Sequence, residues 1–136
     1  MQNIVVIDLN VFVRALLGSG IDRIIYSAIK EEKITPVFSP DLLENLAKVL
    51  FRPHLRLRET DIKKSLETIK AKAIIVEPRL KITACRDASD NILLETAAAS
   101  KACAIITHDP DLLILNPFQG IPVVDSRQFL KLLKKR

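Results

Sequence analysis

Residues 4–13 read IVVIDLNVFV: four β-branched residues run straight into Asp8, Asn10 follows, and apolar character then resumes. A continuous β-branched run is the pattern of a strand buried on both faces, as in a parallel sheet. Such a strand has no room for a carboxylate in its interior. Asp8 therefore belongs where the strand leaves the sheet, and the question is what else arrives there.

Working outward, strand-like and helix-like periodicities alternate. DRIIYSAIK over Asp22–Lys30 has helical spacing. Residues 34–38 read as a strand that stops at Ser39-Pro40, a helix start with Ser39 as N-cap and Pro40 in the first turn. The helix that follows carries Leu42, Leu43, Leu46, Val49 and Leu50 on one stripe and ends before Pro53. A further helix is expected over 61–72, with Ile62, Leu66 and Ile69 inward, then a strand at 74–76 and a polar segment at 77–89. A helix over 90–101, strands at 104–107 and 122–124, and a last helix capped by Ser126 complete the series. Strands separated by helices predict an α/β fold, a three-layer α/β/α arrangement around a central parallel sheet of four or five strands.

With 136 residues, 49% of them hydrophobic, the chain suffices for one domain, 1–136, with a real core. No apolar run approaches the roughly 20 residues that cross a bilayer. Asp8 and Asn10 break the apolar stretch near the start, so no signal peptide is read there, and a cytoplasmic location with no membrane partner is expected. The two cysteines, Cys85 and Cys103, and the two histidines, His54 and His108, are too scattered for a disulfide framework or a zinc cluster. A metal here would need oxygen ligands, which points to Mg²⁺ or Mn²⁺.

The net charge is +5, with cations grouped at Arg52, His54, Arg56 and Arg58, at Lys63 and Lys64, and at Lys131, Lys134, Lys135 and Arg136. A polyanionic partner suits that balance, although a lysine-rich tail also serves simply to solvate a helix end.

Open α/β sheets bind ligands at the carboxyl ends of their strands. Asp8 lies there. In ACAIITHDPDLL the later strand also runs into acids, Asp109 and Asp111, while Asp87 and Asp90 stand where a helix begins in CRDASDN. Each has a plain structural reading: Asp8 or Asn10 as a helix cap, Asp90 as another, and Asp109-Pro110-Asp111 as a turn. Together they are costly, because like charges 4 Å apart repel by about 4 kcal/mol at an effective dielectric of about 20. A hard cation among them reverses that penalty, and such ions commonly serve phosphate chemistry. Glu44 lies off the apolar stripe of its helix, and by physics alone reads as a solvated surface acid.

The order and spacing of these residues resemble the PIN domain, a family of Mg²⁺/Mn²⁺-dependent nucleases. Many of its members act on RNA, and many are toxins of toxin–antitoxin pairs, the VapC-like group among them. Asp8-Leu9-Asn10-Val11-Phe12-Val13 matches the family's D-T-N-V-x-V, and SPDLLENLAKVL its S-x-x-L-L-x-E-L helix. Residues 85–91 match C-R-D-x-x-D-[DN], and THDPDLL matches T-G-D-x-D-L-L. The resemblance implies that Asp8, Glu44, Asp90 and Asp109 are catalytic and hold the metal, with Asp111 as an extra acid. It makes Asn10, Asp87, Asn91 and Thr107 the residues that orient those carboxylates. Arg14, Lys48, Arg52 and Arg86 are the cations expected to track the RNA backbone, and an antitoxin protein and a second copy of the chain are the expected partners. Leu9 and His108 depart from the family's Thr and Gly. Two alternatives carry different expectations: a non-catalytic RNA- or protein-binding module of the same fold, and a haloacid-dehalogenase-like phosphatase, whose D-x-D-x-T-V start residues 8–11 loosely resemble.

Overall fold

The computed structural model describes residues 3–18 and 20–134; Lys135 and Arg136, part of the C-terminal basic group, lie outside the described residues. The strands are β1 (Ile4–Ile7), β2 (Thr35–Phe38), β3 (Ile74–Ile75), β4 (Ala104–Ile106) and β5 (Val123–Val124). They form one parallel sheet in the order β3-β2-β1-β4-β5. Helices flank it on both faces, a three-layer α/β/α architecture. They are α1 (Leu9–Leu16), α2 (Asp22–Lys30), α3 (Pro40–Leu50), α4 (Glu59–Lys72), α5 (Ala88–Ser100), the short α6 (Pro110–Leu113) and α7 (Ser126–Lys134).

The central strand β1 pairs with β2 through Ile4 and Val5 and with β4 through Val5, Val6 and Ile7. Val5, Val6 and Ile7 are fully buried, as are Ile105 and Ile106 in β4. Here the β-branched runs do what parallel strands require, filling space on both faces of the sheet. α5 lies across β1 and β2, and α2 packs on α7.

Helix starts follow side-chain chemistry. Ser39 Oγ accepts the Leu42 N–H at 3.1 Å and Pro40 opens α3, as expected. Two expectations are corrected. α5 begins at Ala88 with Asp87, rather than Asp90, as its cap, because the Asp87 carboxylate reaches the Ser89 N–H at 2.8 Å. For α7, the residue doing the capping is Asp125, whose carboxylate accepts the Gln128 N–H at 2.8 Å while the Gln128 side chain accepts the Asp125 N–H at 3.0 Å. That reciprocal pair is a capping box, and it leaves Ser126 free to turn inward.

Candidate active site

From β1 the chain steps to β2 and β3 on one side, then returns to β4 and β5 on the other. The boundary between β1 and β4 is thus the switch point at which sheets of this kind hold ligands. The Asp8 N–H donates to the Ile106 carbonyl at 2.9 Å, which carries the β1–β4 ladder one residue past the strand and delivers the carboxylate beside the end of β4.

Thr107, fully buried, fixes the two strand ends to each other. Its hydroxyl donates to Asp8 Oδ2 at 2.7 Å and accepts the Asp109 N–H at 3.0 Å. Asp8 Oδ1 accepts the Asn10 N–H at 3.1 Å, and Asp109 Oδ1 accepts the Asp111 N–H at 2.9 Å. Asp8 and Asp109 are therefore both helix caps and members of an acid group, since capping uses one oxygen of each. The plain structural reading and the functional one are compatible.

Asp90 arrives from a third segment, the first turn of α5. Its carboxyl is pushed up to about 6, first by burial and then by the negative charges of Asp87, Asp109, Asp8 and Asp111, in that order. None of the groups that set its acidity is a cation. Burial, followed by Asp90, Asp109, Asp111 and Asp87, likewise raises the Cys85 thiol, placing that residue at the edge of the same field. Asp8, Asp90 and Asp109 thus share one electrostatic neighbourhood.

The other expected residues are placed as follows. The exposed Asn10 touches Asp8 through its backbone N–H. Asp87 caps α5, and the Asn91 amide clasps the backbone of Cys85, accepting its N–H and donating to its carbonyl, both at 2.9 Å. Asn91 thereby shapes the loop that leads into α5 rather than contacting a carboxylate. Asp111 is exposed beside Asp109. Arg14 lines a cleft of about 380 Å³ together with Asp8, Asn10, Val13, His108 and Asp109. Arg52 and Arg86 are exposed.

Glu44 is not brought to the acids. It faces solvent, pairs with the equally exposed Lys48 at 3.2 Å, and is absent from the charges that act on Asp90. The reason is helical phase: Leu42, Leu46 and Leu50 are the buried stripe of α3, and Glu44 projects from the opposite side. Counted from Ser39, the acid position of S-x-x-L-L-x-E-L falls on the half-buried Asn45, so this chain carries an amide there.

One cluster was not legible in advance. Asp22 is only 4% exposed. One of its oxygens accepts from the Ser126 hydroxyl and lies 2.9 Å from His108 Nε2, while Ser126 Oγ and His108 Nε2 are 3.2 Å apart. These residues join α2, α7 and the segment after β4, and they pin the His108 ring at the wall of the acid cleft. At the start of a helix, Asp22 reads as an exposed acid; its partners lie too far along the chain for local pattern to reveal them.

Among the described residues no three His, Cys, Asp or Glu side chains gather tightly enough to ligate one ion directly. The all-oxygen donor set nonetheless fits a hard ion. Mg²⁺ keeps several of its waters and uses only one or two carboxylates, so an open arrangement of Asp8, Asp90 and Asp109 suits it better than a closed cage would.

No described helix is long and apolar enough to cross a membrane. Comparison with known proteins agrees with the geometry. A family model described as the PIN domain matches residues 4–111, which span β1 through the acids after β4. An uncharacterised protein of Methanocaldococcus jannaschii, MJ1680, is 36% identical over 132 residues, covering 94% of this chain and 79% of that protein. With a matching family model over most of its length and acids gathered at the sheet's switch point, the chain belongs to the PIN-domain family, whose members are generally nucleases.

Proposed function

We propose that this protein is a Mg²⁺- or Mn²⁺-dependent endoribonuclease in which Asp8, Asp90 and Asp109 hold the metal. The observation that carries the reading is the meeting of carboxylates from three separate segments, with no protein cation among the charges that act on Asp90. When bound, the ion would acidify water for attack on phosphorus and offset charge on the phosphoryl oxygens. The protein's own part is positioning. Thr107 and the Asn10 N–H hold the two oxygens of Asp8, so the carboxylate is fixed before substrate arrives. Asp111 holds Asp109 through its N–H. Arg14, on the wall of the cleft, supplies a guanidinium for a phosphate of the strand. With five Phe, one Tyr and no Trp, base stacking contributes little, and affinity would rest on backbone charge.

The test is cleavage of single-stranded RNA by purified protein with Mn²⁺, with EDTA, and by Asp8→Asn. Cleavage that needs Mn²⁺ and is lost in Asp8→Asn supports the reading. RNA binding that survives EDTA without cleavage would instead make the chain a non-catalytic module. A hydroxylamine-labile phosphoryl group on Asp8 would make it a phosphatase. By family resemblance we extend the proposal to the toxin of a toxin–antitoxin pair, a cytoplasmic homodimer held in check by an antitoxin protein. Expression that arrests growth in the wild type but not in Asp8→Asn would support this extension.

A further inference from the structure

Apart from the acid cleft, α2 and α7 leave between them a groove of about 670 Å³. Its floor is aliphatic, built by Ile21, Ile24 and Ala28 on one side and by Leu130 and Leu133 on the other. Ile24 stays 52% exposed, a large apolar side chain in water. The rim is positive. Arg127, Lys131 and Lys134 recur at spacings of four and three along α7, so they share one side of the helix. None of the three is in an ion pair among the described residues. Lys33 stands at the groove too, but Glu31 already neutralises it at 2.9 Å.

We propose that this groove is a docking surface for an acidic amphipathic helix of a different protein. An apolar floor between two helices accepts side chains spaced one helical turn apart, and the unpaired cations of α7 select carboxylates on the flank that faces them. Charge decides the occupant. A second copy of this chain docked through a twofold axis would lay the positive stripe of α7 against itself. RNA would gain the charge but waste the floor, which offers aliphatic side chains where bases need aromatic or guanidinium planes. The inference does not depend on the nuclease reading, since no residue of the acid cleft lines the groove.

The probe is a fluorescein-labelled helical peptide with leucines at i, i+4 and i+7 and glutamates on both flanks, compared with the same peptide carrying lysines instead. Fluorescence anisotropy with the full chain should show saturable, salt-sensitive binding of the glutamate peptide only. The double variant Arg127→Glu/Lys131→Glu and the single variant Ile24→Asp should each weaken it about tenfold or more, with unchanged circular dichroism. All three positions are solvent-facing, so folding is not at stake. Equal binding of the two peptides, no binding, or binding indifferent to both variants overturns the proposal. So does displacement of the peptide by an RNA oligonucleotide, which would assign the groove to nucleic acid. A dimer that Ile24→Asp dissolves in sedimentation would assign it to a second copy.

Discussion

Asp90 is the residue for which the acid group costs most. Its carboxyl titrates at about 6 in the folded chain, against an ordinary value of 3.8. A raised acid binds its proton more tightly when folded, so its contribution to stability is fully present below about pH 4 and is lost as pH rises through about 6. Two pH units would correspond to about 3 kcal/mol, and water at this partly exposed site screens that to about 1 kcal/mol. Asp90→Asn is therefore expected to raise the melting temperature at pH 8 by about 4 °C and to change it little at pH 4. Thermal unfolding followed by circular dichroism at both pH values checks this, and equal shifts would show that the carboxylate is not under strain. At the same scale, Asp8 and Asp109 were legible because an acid that ends an apolar run has few other places to be. Glu44 was misplaced because an acid near a motif position was taken for the position itself, and the phase of α3 sends it outward. Asp22 was not legible at all, and His108 only as a departure from the family's Gly beside the site, since burial of a charge is set by partners from distant segments.

Among the elements, the start of α3 was read correctly because a serine cap is followed directly by proline. Ser39 at the head of α3 is buried and bonded as its sequence implies. Ser39→Ala is expected to cost about 1–2 kcal/mol, seen as a lower urea midpoint with an unchanged slope. A cost near zero would mean that water replaces the cap. α7 was assigned the wrong cap because Ser126 is a good capping residue by type, while the Asp125–Gln128 spacing of a capping box lay one position earlier. The distinction has consequences. Asp125→Ala should cost about 1 kcal/mol through the helix end alone. Ser126→Ala should also slacken the bond that holds Asp22 and, through it, His108. If cleavage is shown, Ser126→Ala is expected to change KM for RNA while Asp125→Ala leaves it unaltered. Identical effects of the two variants on KM would remove that link.

Over the whole molecule, the α/β class and the parallel sheet followed from periodicity, but strand order did not. The short strands β3 and β5 were read at 74–76 and 122–124, but their places in the sheet are set by what packs on them. That order puts the acids at the β1–β4 boundary, so stability is expected to respond to cations. At pH 8, millimolar Mn²⁺ is expected to raise the melting temperature of the wild type by several degrees and to raise that of Asp8→Asn by clearly less. This readout requires no catalysis. An identical rise in both would place any bound ion away from the switch point.

The hydroxyl of Thr107 meets Asp8 across 99 positions of chain. Residues 4–100 contain the strands β1 to β3, the helices α1 to α5 and Asp8, but neither the threonine that steadies it nor its partner Asp109. The pocket closes only when the last quarter of the polypeptide folds back beside the first strand. A fragment that ends before Thr107 would thus lack the clasp that fixes the Asp8 carboxylate.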